Sequence, residues 1–127
     1  MNRKKIILDC DPGMDDSMAI VMAAKSPALE LLAVTTVSGN YPVDVTSLNA
    51  RKVLELLGRD DIPVAKGMAH PLVRKSPPDP FTHGTDGQAE NFLPEPTLPL
   101  HHLHAADLII ETVKANPGQV HILCTGP

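Results

Sequence analysis

The sequence predicts an α/β fold in which a parallel sheet is covered by helices on both faces. Two observations predict it. Short, almost uninterruptedly apolar runs alternate with segments of helical periodicity, and the runs lack the polar alternation of a half-exposed sheet. Turn residues also fall where such a fold needs them, because Asp, Gly, Asn or Pro follows each apolar run. With 127 residues and 43% hydrophobic composition, the chain can bury one domain with a modest core. It has two Phe, one Tyr and no Trp, so Leu, Ile, Val, Ala and Met are expected to build that core.

Lys5-Ile6-Ile7-Leu8-Asp9-Cys10 reads as a buried strand that ends in the turn Asp11-Pro12-Gly13. Asp15-Asp16 then open a helix carrying Met18, Ile20, Val21 and Met22, with acids in its first turn and Pro27 beyond its end. Leu29 to Val37 is a second strand, closed by Ser38-Gly39-Asn40. Val45, Leu48, Val53, Leu54 and Leu57 fall near helical spacing, and Gly58 supplies the stop. Ile62-Pro63-Val64-Ala65 is a third, short strand.

From Lys66 to Leu100 periodicity disappears, and seven of the thirteen prolines lie between Pro71 and Pro99. This is a long loop, and long loops inside compact domains tend to be functional. Residues 103 to 115 resume a helical pattern through Leu103, Ala106, Leu108, Ile109, Ile110 and Val113, stopped by Asn116-Pro117-Gly118. Gln119 to Cys124 is a last strand, followed by Thr125-Gly126-Pro127, and its outer edge is expected to be exposed. Ligands of such sheets bind beyond the carboxyl ends of the strands. The segments to inspect are therefore Asp9–Asp16, Ser38–Asn40 and Thr125–Pro127.

Composition excludes several function classes. Net charge is −4 and the basic residues are scattered, which disfavours a nucleic-acid partner. No apolar run approaches the roughly 18 residues of a membrane helix, and Asp9 and Asp11 interrupt the place of a signal-peptide core. Two cysteines are too few for a secreted disulfide framework, so a cytoplasmic protein with reduced thiols is expected. Cys10 and Cys124 are both expected to be packed rather than reactive. His101, His102 and His104 do not share one helical face and read as a solvated helix start rather than a metal site.

The chemistry-bearing segment is Asp9-Cys10-Asp11-Pro12-Gly13-Met14-Asp15-Asp16, with four carboxylates in eight residues. Strand alternation puts Asp9 and Asp11 on one side and Cys10 on the other. The Pro12-Gly13 turn then delivers Asp15 and Asp16 to a helix N-terminus, so that all four acids can converge. Like charges so placed need a compensating cation, and oxygen-only ligands favour Ca²⁺ or Mg²⁺. The bland alternative is that Asp15 and Asp16 cap the helix while Asp9 and Asp11 are solvated turn residues.

This segment resembles the aspartate signature of the inosine-uridine nucleoside hydrolase family. Ser38-Gly39-Asn40, His83-Gly84-Thr85-Asp86-Gly87 and Thr125-Gly126-Pro127 occur in the family's order, so the resemblance spans the chain. It implies a Rossmann-like nucleoside hydrolase fold, with residues 1–127 as the N-terminal portion of one domain and residues 66–100 as a long active-site loop. It also implies hydrolysis of the N-glycosidic bond of ribonucleosides to ribose and free base, using a Ca²⁺-bound water. Asp11 and Asp16 would ligate Ca²⁺ through their side chains, and Thr125 through its carbonyl. Asp15 and Asn40 would bind ribose hydroxyls, His83 would lie near the ribose and base, and Asp11 would be the general base. Asp9 would support the loop without touching substrate. A homo-oligomer is compatible with the resemblance.

These residue types suit the reaction. N-ribosidic cleavage passes through a ribosyl cation-like state that nearby carboxylates stabilise. Calcium acidifies its water less than zinc does, so a base is still required. Two local departures from the family stand out. Gln88-Ala89 replaces the Leu-Gly of many relatives, and Pro77-Pro78-Asp79-Pro80 stiffens the approach to His83.

Family members are more than twice this long, and their C-terminal half supplies a further metal-ligating aspartate and further ribose contacts. The 127-residue chain alone is therefore expected to be weakly active or inactive, and a non-catalytic truncated fragment is the non-enzyme alternative. The alternative enzyme is a haloacid dehalogenase-type Mg²⁺ phosphatase, which shares Asp-x-Asp after a first strand. That family carries Thr or Val where this chain has Gly13, and it has no role for Asp15-Asp16.

Overall fold

The strand β1 (Lys4–Cys10) is the axis of the molecule, with β2 (Leu29–Thr36) on one side and β4 (Val120–Cys124) on the other. The computed structural model describes residues 2–75 and 82–127. The Pro77–Pro80 run lies outside the described residues. The chain runs β1, α1 (Met14–Lys25), β2, α2 (Val43–Leu56), β3 (Val64–Lys66), α3 (Ala105–Ala115), β4. Every pairing is parallel, in the order β3-β2-β1-β4. The alternation of elements and the parallel sheet therefore follow the sequence reading.

Alternation along β1 sorts the core into two layers. Ile6, Leu8 and Cys10 pack with Ile20, Ala23 and Ala24 of α1 and with Ala50, Val53 and Leu54 of α2. Ile7 faces the other way, with Ala33, Ala65 and the α3 residues Ala105 and Leu108. The helices α1 and α2 thus share one face and α3 covers the other, as expected for a doubly wound sheet. The direction of winding reverses between β1 and β4.

Element ends have local causes. Pro63 cannot donate to a ladder, so β3 starts at Val64, two residues later than expected, although the Pro63 carbonyl still accepts from Val34 N–H at 3.0 Å. His104 starts α3 by accepting from Ala106 N–H through Nδ1 at 3.1 Å. His101 accepts from Leu103 N–H and its ring stacks on His102, so the three histidines organise a helix start as expected. The long loop begins after Lys66, which ends β3, and among its described residues it has no helix or strand, but it is anchored. Leu98 enters the core, while Glu55 accepts from the backbone N–H groups of Thr97 and Leu98 and from the Thr97 hydroxyl. The Thr97 and Leu98 donors hold the Glu55 carboxyl below its usual range.

Two expectations about packing are corrected. Methionine does not build the core: Met14, Met18, Met22 and Met68 are exposed, because α1 turns Asp16, Ile20, Ala23 and Ala24 inward instead. Cys124 is exposed rather than packed. It belongs to the edge strand, where Ile122 and Leu123 also remain 43% and 44% exposed, so the expected bare edge is present. Cys10 is fully buried, and that burial, reinforced by Asp16, Asp9 and Asp11, pushes its thiol well above the usual range.

Candidate active site

The three strand-end segments singled out from the sequence meet around the carboxyl end of β1, at the winding reversal. Val37 N–H donates to Cys10 C=O at 3.0 Å, which brings the β2–α2 turn to the end of β1. On the opposite side, Thr125 N–H and Gly126 N–H both donate to Asp9 C=O, at 2.9 and 3.3 Å. Each neighbouring strand is therefore sewn to β1 immediately before Asp11. A parallel sheet concentrates functional residues at such a place because each strand there is followed by a turn free to present side chains.

Asp11 and Asp16 form the centre. Both are 6% exposed. Asp16 Oδ2 accepts from Asp11 N–H at 2.9 Å, and Asp11 Oδ2 accepts from Asn40 N–H at 3.0 Å. Burial pushes the Asp11 carboxyl up to about 6, and the Asp16 carboxylate adds to it, against the stabilising Asn40 amide. Among the described residues no Lys or Arg pairs with either acid. Gly39 is required here by space alone: a Cβ at that position would lie 2.0 Å from Asp11 Oδ2.

The expected convergence of all four acids does not occur. Asp9 turns to β2, where its Oδ1 accepts from the Thr35 hydroxyl at 2.6 Å, and its carbonyl holds Thr125 and Gly126. This matches a supporting role. The Asp15 side chain is 74% exposed, with Oδ1 3.9 Å from His83 Nδ1. Among the described residues no three His, Cys, Asp or Glu side chains cluster to hold a metal ion. Asp11 and Asp16 supply an all-oxygen pair with no counter-charge among the described residues, a donor chemistry that suits a hard cation.

His83 is buried rather than a solvated loop residue. Its Nδ1 accepts from Met14 N–H at 3.1 Å, and its Nε2 lies 3.1 Å from the Asn40 side-chain amide. The Asn40 atom at that distance is Nδ2; acceptance at Nδ1 makes the neutral ring the Nε2–H tautomer, which calls for the Asn40 amide turned over so that its oxygen accepts. A Cβ on Gly13 would meet the His83 ring at 2.7 Å, so the glycine of the first turn admits the histidine. His83 therefore joins two predicted site residues, Asn40 and the Asp15 turn.

Sequence reasoning missed the residues that hold this loop. Asp86 accepts from the N–H groups of Gln88, Glu90 and Phe92. Burial opposes the Asp86 charge, but those amides outweigh it and keep the carboxyl below its usual range. The Tyr41 hydroxyl donates to Gly84 C=O, and Asn49 donates to Asp86 C=O. The only sequence signal was a polar Asn49 amid the buried face of α2.

Two predictions arise here. In metal-free protein the raised Asp11 pKa favours the folded state most below about pH 4, and this contribution is lost as pH rises through about 6. The lowered carboxyls of Glu55, Asp61 and Asp86 act oppositely, and their contributions are lost below about pH 4. Thermal melts of metal-stripped protein should therefore rise from pH 7.5 to 5 and fall below 4. A Tm that falls steadily from pH 7.5 to 5 would contradict this. Separately, Ala89 has φ 54°, a left-handed conformation that is strained for a residue with a Cβ. Ala89→Gly should stabilise the chain by about 0.5–1 kcal/mol in denaturant titrations, since strain relief exceeds the added unfolded-state entropy.

Comparison with known proteins agrees with this geometry. The sequence profile of the inosine-uridine preferring nucleoside hydrolases matches residues 6–127. A probable uridine nucleosidase from Oryza sativa is 41% identical across 100% of this chain, which covers 40% of that protein. A pyrimidine-specific ribonucleoside hydrolase from Salmonella arizonae is 43% identical over 96% of the chain and 39% of its own length. Among solved structures, a plant nucleoside hydrolase superposes with TM-score 0.92 at 38% identity, over 98% of this chain and 40% of the other. A purine-preferring ribonucleoside hydrolase from Gardnerella vaginalis also gives TM-score 0.92, at 34% identity and the same coverage. The chain thus spans about 40% of the length of these relatives.

Proposed function

Because the chain belongs to the inosine-uridine preferring nucleoside hydrolase family, we propose that it carries the ribose- and metal-binding part of an enzyme that hydrolyses the N-glycosidic bond of ribonucleosides. The observation that carries this reading is the buried Asp11–Asp16 pair beside Asn40, two like charges with a shared need for a cation. The family profile also decides the reading of Asp11-Pro12-Gly13 against the phosphatase alternative.

In the proposed site Asp11, Asp16 and the Thr125 carbonyl would hold Ca²⁺, the hard cation their all-oxygen chemistry suits. Ca²⁺ there would supply the missing positive charge and acidify a water for attack. Asp11, its carboxylate held by Asn40 N–H, would accept the proton of the attacking water. Asp15 and Asn40 hold the ribose hydroxyls, and His83 keeps the Asn40 amide oriented through its Nε2 side. The negative charge of the exposed Asp15 favours the ribosyl cation-like state.

The relatives are named for pyrimidine and for purine nucleosides alike. This supports a shared part of the site that reads ribose rather than base. Among the described residues no helix is long and apolar enough to cross a membrane. A cytoplasmic location is part of the same proposal, supported by two free thiols.

The test is to incubate purified chain with uridine or inosine, with Ca²⁺ or with chelator, and to assay free ribose while following Ca²⁺- and ribose-dependent thermal shifts. Calcium-dependent ribose release is the expected sign of a competent site. Thermal stabilisation by Ca²⁺ without release would assign the cation site and leave turnover to a longer protein. No release and no shift with either ligand would overturn the proposal.

A further inference from the structure

We infer that Asn49 is a positioning residue that latches the His83 loop to the turn bearing Asp11 and Asp16. Asn49 lies on α2, distant in sequence from both segments, and is 1% exposed. Its Nδ2 group donates both of its protons to backbone carbonyls, to Pro12 C=O at 3.1 Å and to Asp86 C=O at 3.1 Å. Pro12 sits between Asp11 and Gly13, while Asp86 is the residue around which the 82–92 turn is wound. One side chain therefore ties the segment that carries the carboxylate pair to the segment that carries His83.

Buried carbonyls and a buried primary amide satisfy one another here, and removing the amide leaves two acceptors without donors. The loop is seated closely enough that a Cβ on Gly87 would reach Asn49 Nδ2 at 2.7 Å and the Tyr41 ring at 3.2 Å. With the latch in place, the loop backbone is fixed on the same rigid helix as the β1 turn. His83 then meets Met14 N–H and the Asn40 amide together. The latch itself does not depend on the reaction catalysed. Its consequence, an oriented Asn40 and hence a ribose site of fixed shape, rests on the nucleoside hydrolase reading.

The test is read without turnover. In the unsubstituted protein the two Asn49 Nδ2 protons should exchange slowly with solvent and couple through hydrogen bonds to the Pro12 and Asp86 carbonyl carbons. In Asn49→Ala the amides of Gln88 and Ala89 should exchange roughly ten- to hundredfold faster, while those of β1 and β2 remain protected. The His83 ¹⁵N shifts should move from a fixed Nε2–H tautomer toward an average of both. Unchanged loop exchange and an unchanged His83 signature in folded Asn49→Ala would overturn the inference. If that variant does not fold, fast exchange of the Asn49 side-chain protons in the unsubstituted protein would overturn it, and slow, coupled protons would sustain it. Ribose release measured in parallel separates the two claims: loss of the latch signature in Asn49→Ala sustains the latch, while absence of activity in both proteins counts against the hydrolase reading alone.

Discussion

Asp11→Asn protein is expected to melt at a higher temperature than the unsubstituted chain when both are stripped of metal, and to gain nothing when Ca²⁺ is added. The two effects have one cause. Asp11 is a buried carboxyl whose charge is disfavoured by burial and by Asp16, so a neutral isostere relieves a native-state cost at neutral pH. Its amide oxygen can still accept from Asn40 N–H, which preserves the turn. Relief should raise Tm by roughly 3–6 °C per kcal/mol for a chain of this size. In any preparation that releases ribose, the same substitution removes the proposed base and should lower kcat by about 10²–10⁴. A site that is less stable than it need be is the usual consequence of arranging charge for function. Melting curves with and without Ca²⁺ check both signs, and a metal-free Tm that falls in Asp11→Asn would refute the explanation.

Gly39→Ala should place a damaging methyl group directly against Asp11. Its Cβ would sit 2.0 Å from Asp11 Oδ2, 2.6 Å from Cγ and 2.8 Å from Cβ, a clash with the entire carboxylate. Either Asp11 rotates away from Asn40 N–H, or the turn moves and its bonds from Gly39 N–H to Tyr41 C=O and from Ser38 N–H to Met68 C=O are lost. The expected cost is about 1–3 kcal/mol of stability, with loss of Ca²⁺ stabilisation. Gly58→Ala is the control. Gly58 has φ +66° with nothing within 4 Å of an added Cβ, so only backbone strain of about 1 kcal/mol is expected and the Ca²⁺ response should persist. Equal loss of Ca²⁺ response in both variants would show that crowding of Asp11 is not the cause.

Legibility in the sequence followed the range of each interaction. The strands and helices were readable because their apolar spacing is local, and the Asp11–Asp16 turn because its residues are neighbours. Which of four acids would converge was not readable, since it depends on Thr35 capturing Asp9 from the adjacent strand. Asn49 and Tyr41 were not readable as site supports because their backbone partners lie far away in sequence, and Asp86 stood in the His83–Gly87 motif without an assigned role. The methionines of α1 misled for a different reason. Hydrophobicity marks what may be buried, while the position of Ile20 and Ala24 on the helix decided which face was.

The register of the sheet has a consequence for how the site comes into being. The β1–β2 pairing joins Lys4 to Leu29 across one helix, whereas the β1–β4 pairing joins Lys5 to Val120 and must close nearly the whole chain. Contacts of such different sequence separation form at different rates, because long closures carry the larger entropic cost before any contact rewards them. The β1-α1-β2-α2-β3 unit can therefore condense first, with Asp11, Asp16 and Asn40 already assembled, while Thr125 reaches Asp9 only when β4 docks. Docking of Thr125 against Asp9 is then the last step among these elements, and pulse-labelled amide exchange should find β4 protected last. A ligand that bridges Asp11 and Thr125 would act on the chain as a clasp on its slowest step.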